Sequence, residues 1–132
     1  MTTRLISIAP TFLVADVKWA AEYYRDQLGF EVRALFGEPP VFGLVARDGV
    51  SIHLTLMENG RGGSSRKWKP IAFDAYIQVQ DVDALHGELQ ARRADVVGPP
   101  QLRVYGMKEL EVRDRDGYLI CFVQTMPRAA TG

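Results

Sequence analysis

A few side chains able to do chemistry fall on short apolar runs. Glu109 and Glu111 stand two residues apart in Met107–Val112, so a strand puts both on one side, together with Met107. Cys121 lies in the next apolar run, His53 in an earlier one, and Asp74 and Tyr76 in the run between them. A carboxylate on such a face attracts a cation or a hydrogen-bond donor, and serves as a general base where desolvation raises its pKa. An imidazole, a carboxylate and a thiol can hold a divalent ion, zinc especially, provided three or four donors converge. Trp68 and Tyr105 fall in loop sequence, where an aromatic ring can stack on a planar ligand. Two carboxylates on a largely apolar hairpin are either solvated or aimed at a ligand. The pattern alone leaves both open.

The elements that must position these residues are legible as periodicities. Met107–Val112 and Tyr118–Val123 flank Arg113-Asp114-Arg115-Asp116-Gly117, and Asp-Gly between apolar runs is a strong hairpin signal because glycine accepts positive φ. Strands are also predicted over Ile6–Val14, Phe30–Leu35, Val41–Ala46, Val50–Met57 and Phe73–Val79, with short ones at Val96-Val97 and Leu102–Tyr105. Pro10 favours a sheet edge. Val17, Ala20, Ala21, Tyr24 and Leu28 recur at helical spacing after Asp16, and Val82, Leu85, Leu89 and Arg92 after Asp81, predicting N-capped helices over Val17–Leu28 and Val82–Arg93. Alternation then sorts the faces. Ile8, Pro10, Phe12, Val14, Ile52, Leu54, Ala75, Ile77, Val79, Leu110, Val112, Ile120 and Phe122 should pack under the helices. Ala9, Thr11, Ser51, His53, Thr55, Asp74, Tyr76, Gln78, Met107, Glu109, Glu111 and Cys121 share the other side. Small residues such as Ala9, Ser51 and Cys121 suit a concavity with room for a ligand. Trp19 reads as core or dimer packing, and His86 as exposed.

The composition closes off several classes. Sixteen basic residues balance sixteen acidic ones, so no overall field favours nucleic acid or a membrane surface. No apolar run approaches the roughly 20 residues that span a bilayer. The start of the chain lacks a signal-peptide core, and one cysteine allows no intrachain disulfide, which sets a reducing cytoplasm as the expected compartment. The 132 residues fit a single domain. Residues 58–70, with three glycines, two serines and Trp68, read as a linker.

The order strand, helix, three strands occurs twice. Val-Ala-Asp-Val at 14–17 answers Val-Gln-Asp-Val at 79–82, and Asp-Gly-Val-Ser-Ile-His-Leu at 48–54 answers Asp-Gly-Tyr-Leu-Ile-Cys-Phe at 116–122. The fold expected is α+β: two tandem βαβββ modules, about 5–57 and 71–124, forming a cupped sheet with helices outside.

With its "YYRDQLGFEV" and "GMKELEVRDRDGYLICF" stretches, this pattern resembles the vicinal oxygen chelate superfamily over residues 5–124. That superfamily includes glyoxalase I, extradiol dioxygenases, epimerases, and the fosfomycin and bleomycin resistance proteins. The resemblance implies a homodimer whose cup takes a small-molecule ligand and is often built from both chains. The family's metal-ligand positions fall near Ala9, on His53, near Asp74 and on Cys121; Ala9 has no donor, and a thiol stands where the enzymes usually carry glutamate. "GMKEL" matches the bleomycin-resistance-like members. The expectation is therefore a binding or sequestering protein without cofactor, its ligand met by His53, Trp68, Tyr76, Tyr105, Met107, Glu109, Glu111 and Cys121. The alternative is a metal-dependent enzyme using His53, Asp74 and Glu109 or Glu111.

Overall fold

The computed structural model describes residues 2–58 and 73–127. The first module runs β1 (Thr11–Val14), α1 (Val17–Asp26), β2 (Glu31–Phe36), β3 (Phe42–Arg47) and β4 (Val50–Leu56). The second runs β5 (Ala75–Gln78), α2 (Val82–Ala91), β6 (Asp95–Val96), β7 (Gln101–Leu102), β8 (Met107–Arg113) and β9 (Leu119–Thr125). Each module makes a mixed sheet. The first has the order β1-β4-β3-β2; the second has β5-β9-β8-β6, with β7 also paired to β8. In both, the strand before the helix pairs in parallel with the last strand of its module. The α+β architecture and the tandem modules are as the repeat predicted. The second module has five strands because its second strand is broken into β6 and β7, with Gly98-Pro99-Pro100 between them.

Both helices start where predicted. Asp16 accepts from the Trp19 amide at 2.9 Å and Asp81 from the Ala84 amide at 3.0 Å, satisfying donors that a helix start leaves unpaired. Both end two residues early. The first closes through Gln27 and Leu28 amides on the Tyr23 carbonyl, with Gly29 at positive φ. Strand β1 is much shorter than the predicted Ile6–Val14. It pairs with β4 only from Thr11 opposite His53, although β4 begins three residues earlier at Val50, because Pro10 has no N–H to continue the ladder. Pro10 contributes only its carbonyl, to the His53 amide. Ile8 is consequently 91% exposed rather than core. Trp19 is also not core: it is half exposed, with the Arg115 guanidinium 4.6 Å above its ring. His86 is half buried rather than exposed. At the first hairpin Asp48, not Gly49, takes positive φ, whereas Gly117 does so at the second.

The helix-facing sides of both sheets merge into one core. Phe12, Val14, Ile52, Leu54, Ile77, Leu110, Val112, Ile120 and Phe122 are all buried there, and Ala75 and Val79 pack against it. The turn of the β8–β9 hairpin locks the modules together. Tyr24 donates to Asp114 Oδ2 at 2.7 Å and Tyr23 to the Arg113 carbonyl at 2.6 Å. Tyr118 stacks on Phe12, with ring centres 4.2 Å apart, and its hydroxyl both accepts from the Leu13 amide and donates to the Leu13 carbonyl. That hydroxyl satisfies an edge strand whose polar groups would otherwise be buried unpaired. On the far side Arg47 bridges to Glu88 of α2 by two bonds of 2.8 and 2.7 Å.

Burial pushes the Asp114 carboxyl up to about 6, although Tyr24 and the amides of Tyr118 and Asp116 donate to it. A carboxyl raised in the folded chain binds a proton there before it does so in the unfolded chain. Its contribution to stability therefore grows as pH falls through the folded value and levels off near the unfolded value, about 3.9. Chemical denaturation should show the folded state gaining about 1 kcal/mol between about pH 7 and about pH 5, with Asp114→Asn flattening that gain.

Candidate functional site

Strand alternation turns Leu110, Val112, Ile120, Phe122 and Ile77 into the core and leaves Met107, Glu109, Glu111, Cys121 and Tyr76 on the opposite face of the second sheet. The ladder sets their order: Tyr76 lies opposite Cys121, Cys121 opposite Glu111, Val123 opposite Glu109, and Gln101 opposite Glu109. Beyond Leu102 the chain turns sharply. The Arg103 amide bonds the Met107 carbonyl, the Gly106 amide bonds the Arg103 carbonyl, and Gly106 has φ of 83°, a conformation side chains rarely adopt. This turn carries Arg103 and Tyr105 back to Glu109.

Glu109 is the centre of the site. Its side chain is only 1% exposed. Tyr76 and Tyr105 both donate to Oε2, at 2.7 and 2.8 Å, and Arg103 Nε donates to Oε1 at 3.0 Å. Burial alone would push the Glu109 carboxyl up, but these donors outweigh it and hold the carboxyl below its ordinary value. Glu109 is thus ionised at neutral pH and committed within its own chain. It is not a poised base. The same bonds raise the Tyr76 and Tyr105 phenols, burial leading for Tyr76 and the Glu109 hydrogen bond for Tyr105. Both hydroxyls are pinned while the residues remain 46% and 61% exposed.

The other predicted residues distribute around this centre. Cys121 is fully buried, and burial, followed by the charges of Glu109 and Glu111, pushes its thiol up to about 12. It is neither a thiolate nucleophile nor a ready metal ligand. Glu111 and Met107 are half buried on the same face. His53 lies on the first sheet, between Thr11 and Leu44 in the ladder, with the Phe42 ring edge-on at 5.3 Å. Trp68 lies outside the described residues. Ala9 and Ser51 line a cleft of about 580 Å³ together with Ile6, Ile8, Tyr76 and Gln78. A second cleft, about 630 Å³, opens on the helix side between Val50, Leu85 and Phe122 and contains none of the predicted site residues.

The donor set does not fit a divalent ion. Asp74 Oδ2 accepts from the Leu119 amide at 2.9 Å, Glu109 is saturated by its own chain, and the Cys121 thiol holds its proton. No group of three or more His, Cys, Asp or Glu side chains comes together among the described residues. The basic residues at the two ends of β8 do not pair with Glu109 within the chain. Lys108 bonds Asp83, Arg113 bonds Asp95, and the actual counterion is Arg103. The sequence reading missed Arg103. Its signal was the hairpin arithmetic: with Gly106 at the turn, Gln101 falls opposite Glu109 and Arg103 opposite Met107, so the side chain at 103 lies beside the carboxylate.

A sequence model of the Glyoxalase/Bleomycin resistance protein/Dioxygenase superfamily matches residues 6–122. No functionally curated protein matches the sequence. Among solved structures, the chain is similar to the bleomycin-binding protein of bleomycin-producing Streptomyces verticillus complexed with copper(II)-bleomycin, at 26% identity and TM-score 0.68, covering 96% of this chain and 100% of that one. It is similar to TioX of Micromonospora sp. ML1 at 19% identity and TM-score 0.70, over 90% and 98% of the two chains. A superfamily member from Sphaerobacter thermophilus matches at 22% identity and TM-score 0.71, over 92% and 98%.

The burial and raised pKa of Cys121 make its thiol unreactive in the folded chain. Iodoacetamide at about pH 8 should leave the folded protein unmodified by mass spectrometry and add one label after denaturation, because only the exposed thiolate is alkylated at a useful rate.

Proposed function

The chain belongs to the glyoxalase/bleomycin resistance protein/dioxygenase superfamily, and we propose that within it this protein binds and sequesters a planar, cationic small molecule without transforming it. The observation that carries this reading is the Glu109 network. It fixes two half-exposed tyrosine rings by their hydroxyls and keeps a buried negative charge beneath them. Ring faces held in place lose little freedom on binding, so stacking costs less order than it would on free side chains. Glu111 adds a second carboxylate on the same face, which favours a cation by Coulomb attraction. Met107, and His53 beside Phe42, supply apolar and aromatic surface, and Trp68 is a further stacking residue in this reading. The similarity to a protein seen with copper(II)-bleomycin supports the ligand class. The satisfied Glu109 carboxylate and the protonated Cys121 thiol favour binding over acid–base or nucleophilic chemistry at these two residues.

Fluorescence titration with proflavine, a planar aromatic cation, should give saturable binding in the micromolar range. Tyr105→Ala should weaken it about tenfold, in line with the loss of one aromatic stacking partner. No saturable binding of proflavine, or chemical turnover of a bound ligand, would sink the reading.

The site is completed in this reading by a second copy of the chain. Phe36 and Val41 of the first module are 58% and 49% exposed, Leu102 and Tyr105 of the second 66% and 61%, and Leu5, Ile6 and Ile8 nearly bare. So much apolar surface is more than a monomer usually leaves to water. No helix of the described residues is long and apolar enough to cross a membrane, and the cytoplasm remains the proposed compartment. Sedimentation equilibrium at micromolar concentration should report a dimer, and Ile8→Glu should shift the equilibrium toward monomer at least several-fold, since burying one charge at such a contact opposes association.

A further inference from the structure

The Glu109 carboxylate is paired, but unevenly. A carboxylate has about four acceptor positions. Two phenols fill Oε2, whereas Oε1 receives only Arg103 Nε. Arg103 in turn presents one edge atom rather than the two-pronged fork that guanidinium groups use for their strongest carboxylate contacts. Its Nη1 is turned away to Gln101 Oε1 at 2.9 Å. Arg103 belongs to the short turn before Gly106 and is 35% exposed, whereas Glu109 beneath it is 1% exposed. A desolvated carboxylate needs a counterion, and among the described residues this arginine is the only cation on it.

We propose that Arg103 is the chain's own stand-in for the ligand, and that a planar amidinium or guanidinium group of the ligand displaces it from Glu109 Oε1. This rests on the small-molecule reading of the same face. The incoming group offers two N–H donors on one plane that can both converge on Oε1, which has a lone pair open, where Arg103 offers one. It is flanked by the Tyr76 and Tyr105 rings, whose hydroxyls keep Oε2 satisfied throughout the exchange. Arg103 swings out on its turn, and its positive charge, already a third exposed, returns to water. Ammonium groups and neutral amides fare worse: the first has no planar fork, and the second brings no charge to replace the one removed. Arg103 therefore sets selectivity, since only a group that pairs with Glu109 better than it does can enter.

Isothermal titration with diminazene, a planar aromatic diamidine, and with the corresponding neutral dicarboxamide tests this on the full chain. Arg103→Gln should tighten diminazene about tenfold, the removal of one charge-assisted competitor, and leave the dicarboxamide unchanged. In a Glu109→Gln background, Arg103→Gln should have no further effect, because the competition needs the carboxylate. Weaker diminazene binding on Arg103→Gln, or the same tightening with and without Glu109, overturns the proposal while the wild-type affinity still supports the small-molecule reading. Binding of neither compound nor proflavine to wild type or to Arg103→Gln defeats the underlying reading itself.

Discussion

A four-stranded sheet covered by one ten-residue helix cannot bury its apolar face alone. That constraint organises this chain. Each module has one sheet, of four strands in the first and five in the second, and one such helix, so the two helix-facing sides must merge into a single core. The join is made by polar groups as much as by apolar ones. Tyr118 satisfies both backbone groups of Leu13 at the sheet edge, and Asp114 receives the Tyr24 hydroxyl in the interior. Removing either leaves a buried polar group without a partner, which costs about 1–3 kcal/mol. The modules are consequently fixed on the helix side, and it is the opposite faces of the sheets that are left over for recognition.

On that leftover face, burial of a charge decides the chemistry. Glu109 lies opposite Val123 and Gln101 and is shut off from water by the turn that carries Arg103 and Tyr105. A buried carboxylate either takes up a proton or collects donors. This one collects three, from a strand and a turn. Burial, with this charge added, raises the Cys121 thiol and the Tyr76 phenol, and the hydrogen bond to Glu109 raises the Tyr105 phenol. Burial and this charge together keep the thiol protonated, and the hydrogen bonds hold two aromatic rings in place.

Most of the fold was legible in the sequence because it rests on local and repeated signals. Asp16 and Asp81 cap their helices as read, and the alternation in β8 and β9 sorted core from opposite face without error. What failed depended on partners distant in sequence. Ile8 has strand character and the register would set it opposite Val50, yet pairing with β4 starts only at Thr11. Trp19 has a core-like side chain, yet Arg115 from the other module covers it at the surface. Glu109 lies on the face that alternation gave it, but its counterion depended on a β7–β8 hairpin of two-residue pairing that no periodicity reveals. Residues 59–72, including Trp68, lie outside what the structure describes.

The duplication also shows how the two halves diverged. Strand register makes Thr11 and His53 the counterparts of Tyr76 and Cys121, since each pair is joined across the parallel ladder of its own module. By the antiparallel ladders, Leu44 opposite His53 corresponds to Glu111 opposite Cys121, and Phe42 two residues earlier corresponds to Glu109. The first module thus presents Phe42, Leu44 and an imidazole packed edge-on against Phe42, where the second presents two carboxylates and a phenol. An inherited metal site would need donors from both halves. Here one half has become an apolar wall and the other an acidic one. A ligand that met both walls would face an apolar surface on one side and carboxylates on the other.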